Sequence, residues 1–137
     1  MRGYAFSLIE LIIVLVIIGV VALFAVSGYQ GYIERMRAKN AEANLLAIYD
    51  KQKRYKLDNG NYYACATATT SCTLDDINAN LNLDLTDSYF SYSIEQVGHS
   101  GYRAAARRNA NSSLCSGQTM TLTEANSDIT KNCNYWK

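Results

Sequence analysis

The chain has no proline, one histidine and one tryptophan among its 137 residues. Without proline, nothing in the covalent chain forces a helix to kink or end. A single histidine, His99, and the absence of any Cys-x-x-Cys pair exclude the usual spacing patterns of a zinc site. There is no nucleophile elbow and no glycine-rich phosphate loop, so the sequence offers no catalytic residues, no metal site and no cofactor site. Net charge is only +1, so no bulk field draws the chain to nucleic acid or to acidic substrates. The sharpest local lack lies near the start. Leu11 to Val26 contains no charged or strongly polar residue.

That apolar run, extended by Phe6 to Ile9, approaches the ~20 residues a membrane-spanning helix needs. Glu10 interrupts it near its beginning, where a carboxylate at membrane depth is costly. Three readings compete. A secretory signal peptide has Arg2 before the run and Ala25-Val26-Ser27 as a small-x-small cleavage site, but Glu10 breaks the apolar core. A plain anchor conflicts with its own flanks. Arg35, Arg37 and Lys39 follow the run, so the positive-inside rule puts the rest of the chain in the cytoplasm. The four cysteines, Cys65, Cys72, Cys115 and Cys133, lie in a small, polar region that instead suggests disulfides in an oxidising compartment.

The third reading removes both conflicts. "FSLIELIIVLVIIGVVA" resembles the class III signal sequence of type IV pilins and type II secretion pseudopilins. In that family a short basic leader is removed by a prepilin peptidase, which also N-methylates the new first residue. The resemblance implies a leader over 1–5, cleavage between Ala5 and Phe6, N-methylation of Phe6, and Glu10 at the fifth mature position. Ala5 stands where the family usually has glycine, and Ser27 where many pilins have proline. Gly19 matches a helix-weakening glycine, and Gly28 follows Ser27. Glu10 then reads as an assembly residue. Its carboxylate meets the new amine of a neighbouring subunit, and a paired charge tolerates low dielectric far better than a lone one.

Beyond the apolar run, "GYQGYIERMRAKNAEANLLAIYDKQKRYKLDNG" keeps helical periodicity. Tyr29, Ile33 and Met36 form a stripe that Ala41, Leu45, Ile48 and Tyr55 continue. Glu34, Arg37, Lys39, Asp50 and Lys53 read as the opposite, charged face. Asp58-Asn59-Gly60 stops the helix. From Phe6 to Leu57 such a helix is about 75 Å long at ~1.5 Å per residue. Tyr29 and Tyr32 are read as packing residues in preference to an aromatic relay.

After Gly60 the period changes. Residues 62–88 form a connection with a helical turn at Leu74–Leu81. "YFSYSIEQV" alternates with Phe90, Tyr92 and Ile94 inward, "GHSG" turns, "YRAAARR" forms a partner strand, and "QTMTLTE" places Met120 and Leu122 inward. Three short strands need a helix against one face. The expected fold is α+β, a long N-terminal helix packed on a small antiparallel sheet, the pilin-like lollipop, ending in a C-terminal loop. The expected division is a leader over 1–5, a transmembrane or filament-core helix over 6–27, and a globular domain over 28–137. Resemblance to pilins with a C-terminal disulfide implies that Cys115 pairs with Cys133, leaving Cys65 for Cys72. Sequence alone allows all three connectivities.

The function implied by the resemblance is a structural subunit of a type IV pilus. Its partners are other pilin subunits, the prepilin peptidase, the inner membrane before assembly and the pilus assembly machinery. Its final location is an extracellular filament. Two alternatives stand beside it. One is a DNA-binding minor pilin for natural competence, with Arg103, Arg107 and Arg108 as candidate DNA contacts and Lys131 and Lys137 nearby. The other is a type II secretion pseudopilin. Asp75, Asp76, Asp84 and Asp87 are open to reading as calcium ligands, which some pseudopilins have, or as helix caps and solvated turns.

Overall fold

The computed structural model describes residues 7–66, 72–98, 100–110 and 114–137, the side chains of 25–27 aside. Ala5, Phe6 and His99 lie outside the described residues. The chain divides into two units, Met1–Ile33 and Glu34–Lys137.

A single helix, α1, spans Leu8–Asn59 and contributes to both units. Its first turn opens on the Ser7 carbonyl, which accepts from the Glu10 amide at 3.0 Å and the Leu11 amide at 3.3 Å. Glu10 in the first turn and Lys56 in the last complement the helix dipole. The stop is where the sequence places it. Gly60 takes φ +80° and returns its amide to the Lys56 carbonyl at 2.8 Å, a left-handed cap that a side chain would strain.

In the first unit every large apolar side chain from Leu8 to Phe24 is exposed. In the second unit α1 becomes one-sided. Its buried row is Glu34, Ala38, Ala41, Leu45, Ile48 and Gln52, alternating four- and three-residue steps that keep one face inward. This corrects the sequence-based stripe at its N-terminal end. Ala41, Leu45 and Ile48 are buried as expected, but Tyr29 and Met36 are exposed and Glu34 points inward.

Helix α2, Leu74–Leu81, follows on the residues expected for it. Thr73 and Asp76 form a reciprocal capping box. Asp76 thus serves as a cap, and its carboxyl is held below its ordinary value by the Thr73 hydroxyl and amide. Asp87 is also occupied, accepting from the amides of Tyr89 and Phe90 and from the Tyr92 hydroxyl.

Four strands follow in a meander of order β1-β2-β3-β4, all neighbours antiparallel. They are β1 Phe90–Val97, β2 Gly101–Arg108, β3 Thr119–Thr123 and β4 Asn126–Lys131. The fourth strand replaces part of the expected C-terminal loop. "NSDITK" lacks a clean apolar alternation, with only Ile129 packed against the core, which is how an edge strand with little to bury reads. Across the inner face, Tyr92, Ala106 and Met120 form one row, and Ile94, Ala104 and Leu122 the next. Each row runs large, small, large. The buried apolar row of α1 joins both rows in one core. Ile77 and Leu81 of α2 and Trp136 complete the core.

Two disulfides tie down the long connections, Cys65–Cys72 and Cys115–Cys133. The second closes the segment carrying β3 and β4, which a chain-entropy argument values at about 3 kcal/mol. A head of this size has a limited core, and such crosslinks offset that shortage.

Two tyrosine hydroxyls are buried in different ways. Tyr92 donates to Asp87 at 2.6 Å and accepts from Asn44 at 3.0 Å, whereas the Tyr102 hydroxyl has no partner among the described residues. Burial pushes both phenols above their ordinary value of 10.0. The neighbouring Asp87 adds to the shift at Tyr92, and Tyr62 adds to it at Tyr102. The unfolded chain ionises them near pH 10 and the folded chain does not. Their stabilisation is therefore complete below that pH and is lost as pH rises beyond it. We expect the unfolding free energy from urea titration to hold to pH 10 and then fall, by up to ~1.4 kcal/mol per pH unit for each tyrosine. Tyr92→Phe should flatten that fall, as read by circular dichroism across the alkaline range.

Candidate functional site

The feature of the first unit that demands a partner is its surface. Exposure of the large apolar residues runs from 42 % at Val14 to 79 % at Phe24. They cover all sides of the helix, and a helix apolar all round belongs in lipid or in the core of a larger assembly. Each such side chain, fully buried, contributes about 1.5–3 kcal/mol. The stretches Leu8–Phe24 and Gly28–Asn59 together, but neither alone, have the length and composition of a membrane span.

Glu10 is exposed on the first turn of this surface. Among the described residues it makes no ion pair. The family resemblance implies as its partner an amine at Phe6 after cleavage at Ala5, and both those residues lie outside the described ones. Gly19 and Gly28 sit within the helix, and a Cβ added at either meets nothing within 4 Å. Neither glycine is required by packing inside one chain.

The second unit holds its own charges internally. Arg108 grips Glu34 in a bidentate pair, Nε to Oε1 at 2.8 Å and Nη2 to Oε2 at 3.1 Å. Both side chains are almost fully buried, at 3 % and 2 % exposure. Trp136 Nε1 donates to the same Oε1 at 3.4 Å, and Arg108 Nη1 donates to the Tyr89 carbonyl at 2.8 Å. Arg37 approaches Glu34 at 3.8 Å and stacks its guanidinium 4.0 Å above the Tyr89 ring. One carboxylate thus joins α1, β2 and the C-terminal turn. Nearby, Glu42 accepts from Lys131 at 2.9 Å and Lys39 at 3.0 Å. Partial burial would raise its carboxyl, but those two lysines outweigh it and hold the group below its ordinary value.

These contacts divide the basic residues that the sequence groups together. Arg103 and Arg107 are exposed, but Arg108 lies on the opposite, inner face of β2 with Ala104 and Ala106. Arg108 is consumed by Glu34 and Lys131 by Glu42, and Arg103 stands opposite Glu95 across the ladder. The three arginines do not form one exposed patch. Strand parity held the signal for this, because residues 104, 106 and 108 share a face. Glu34 shares the heptad spacing of Ala41 and Ile48, but its charge set it on the solvated face in the sequence reading.

Comparison with known proteins bears on the N-terminal part of the chain. Residues 2–26 match the prokaryotic N-terminal methylation motif. Over 61 residues, 44% of this chain, it is 36% identical to the type IV major pilin protein PilA of Myxococcus xanthus (strain DK1622), covering 28% of that protein. Over 61 residues, 44% of this chain, it is 34% identical to the type II secretion system core protein G of Dickeya chrysanthemi, covering 40% of that one. The chain therefore spans less than half the length of these curated relatives. No solved structure matches it. The chain carries the type IV prepilin motif, and its homologues are a type IV pilin and a secretion pseudopilin. Its architecture, a long N-terminal helix followed by a small antiparallel sheet, is pilin-like.

The buried pair permits a direct test. Breaking it by Glu34→Gln or Arg108→Met alone leaves a charge without its partner and should cost ~3–5 kcal/mol. Combining Glu34→Leu with Arg108→Met removes both charges and should recover much of that loss. Chemical denaturation of the three variants measures the difference.

Proposed function

We propose that the chain is a structural subunit of a type IV filament, held in the inner membrane by α1 and then assembled with other copies into an extracellular pilus. The observation that carries this is the juxtaposition in one helix of an apolar surface exposed on all sides and an acidic first turn at Glu10, within the N-terminal methylation motif. The lipid accepts the apolar surface, and a bundle of identical helices accepts it equally well. Only the bundle brings an amine to Glu10. The prepilin peptidase and its methylase activity act at Ala5 and Phe6 in this reading, and the pilus assembly machinery draws the subunit from the membrane. The second unit coats the filament, and its disulfides belong to the oxidising side. The subunit performs no covalent chemistry of its own, so its work is mechanical and adhesive.

A second reading, a type II secretion pseudopilin, has support from the secretion-system relative. It uses the same helix and the same glutamate. The C-terminal bridge Cys115–Cys133 favours the pilus, because the resemblance places such a bridge in pilins more than in pseudopilins. The DNA-binding alternative has weaker support, since Arg108 and Lys131 are engaged internally.

The test is mass spectrometry of sheared surface fibres without reduction, beside a Glu10 series. We expect an N-methylated peptide beginning at Phe6 and a mass lowered by two disulfides. Glu10→Ala should be cleaved yet lose at least about tenfold in fibre yield, since an unpaired amine in the bundle costs more than the ~1.4 kcal/mol such a factor represents. An intact leader in the fibres, or full assembly of Glu10→Ala, would remove the basis of the reading. Recovery with secretion components and not with fibres would favour the pseudopilin.

A further inference from the structure

A groove of about 380 Å³ lies where the end of α1 meets the end of α2, within the ~300–1,000 Å³ typical of small-ligand sites. Leu81 is a lining residue, buried at 3 % exposure. Lys51 and Arg54 line the groove. Neither makes an ion pair among the described residues, although Asp58 lines the same groove. The other two ion-pairing centres of the head, Glu34 and Glu42, hold their cations within 4 Å. These two cations are left to solvent or to a ligand.

The acceptors are as informative as the cations. Asn59 and Asn80 both line the groove, and both amides are fixed through their nitrogen. Asn59 Nδ2 donates to the Tyr55 carbonyl at 3.1 Å. Asn80 Nδ2 donates to the Asp76 carbonyl at 2.8 Å and to the Tyr63 hydroxyl at 3.1 Å. Each keeps a carbonyl oxygen with no bond among the described residues. The Tyr55 ring, also lining the groove, is braced edge-on by Tyr63 with centroids 5.8 Å apart. Polar groups and an aromatic ring are therefore held in place by the chain's own bonds before any ligand arrives, which lowers the ordering cost of binding.

We propose that this groove binds an acidic saccharide, a sugar ring carrying a carboxylate. The guanidinium of Arg54 suits a planar carboxylate by two parallel bonds, and Lys51 adds a point charge. The amide oxygens and the Asp58 carboxylate need donors, and vicinal sugar hydroxyls supply them. Tyr55 offers an apolar surface to the C–H face of the ring. A nucleic-acid backbone fits less well. Phosphodiesters present acceptors only, and two cations do not make the continuous basic track such a polymer follows. The site is a property of the single subunit and does not depend on the filament reading.

The test uses the full chain, ¹⁵N-labelled in neutral detergent micelles and titrated with a trimer of galacturonic acid. The controls are the neutral galactose trimer, inorganic phosphate and a short DNA duplex. Saturable shifts of the side-chain amide resonances of Asn59, Asn80 and Asn82 are expected with the uronate. The neutral trimer should bind about tenfold more weakly, ~1.4 kcal/mol. Arg54→Ala should weaken the uronate by a similar factor while the rest of the spectrum is unmoved. Asn80→Asp should weaken the uronate more than the neutral sugar. No shift up to ~10 mM uronate would overturn the proposal. So would phosphate reproducing the same shifts, the neutral trimer binding as well as the acidic one, or the duplex binding more tightly than the sugar. Fibre yield of Arg54→Ala, measured alongside, separates this result from the assembly function.

Discussion

Glu34 and Arg108 are separated by 74 positions in the chain and meet with almost no water around them. Bringing a carboxylate and a guanidinium out of solvent is expensive unless geometry and further bonds compensate. Here both oxygens of Glu34 accept from the guanidinium, Trp136 adds a donor, and the remaining Arg108 nitrogen reaches the Tyr89 carbonyl. The satisfied pair sets the angular position of the second half of α1. Once Glu34 faces β2, helical geometry puts Ala38, Ala41, Leu45 and Ile48 on the same side. The buried Gln52 at the far end of that row repeats the device with a neutral group. Its amide accepts from the Tyr63 amide at 2.9 Å and donates to the Tyr63 carbonyl at 2.7 Å. A row of four apolar residues is thus bracketed by two polar ones, Glu34 held chiefly by Arg108 and Gln52 by the Tyr63 backbone. Apolar contacts alone tolerate slippage, and these brackets do not.

The same bracket explains where sequence reading succeeded and where it slipped. Strands β1 and β3 were legible because their inward residues alternate, and β2, which alternates only weakly, because turn residues join it to β1. The Leu74–Leu81 helix was legible because Thr73 and Asp76 stand at capping distance. The helix stop was legible in Asn59-Gly60. Glu34 was misplaced for a physical reason: a charged residue on an amphipathic helix is ordinarily solvated, and only its partner far along the chain overrides that. Arg108 was misplaced for the same reason seen from the other side, since three arginines in one short strand look like one patch until alternation assigns them to two faces. Strand β4 has too little to bury to announce itself. The groove of Lys51 and Arg54 could not be read at all, because its two walls come from separate helices. Glu10, by contrast, was visible at once, because a lone carboxylate in an apolar run is an anomaly that needs no structure to notice.

On the filament reading, the two halves of α1 are governed by different solvents. The second half has one buried row and one partner surface, so its burial is complete within a single chain. The first half has no preferred face, and its large apolar side chains are exposed among the described residues. Moving that helix from lipid to a bundle of its own kind gains little from the hydrophobic effect, because lipid tails are as apolar as leucine. The preference for the bundle must therefore come from close packing and from polar groups that lipid leaves unpaired. Glycine at positions 19 and 28 lowers the helix's own stability, the helix-weakening role the resemblance implies. Glu10 is the acidic residue in the apolar stretch that lipid cannot satisfy and a neighbour's amine can. A subunit built this way is stable enough to wait in the membrane, because one carboxylate near the interface can still reach water. It is poorly satisfied enough to leave when a filament offers the missing charge. In that reading the group left unpaired is in the first half of the helix, whereas the two buried charges of the second unit already answer each other within one chain.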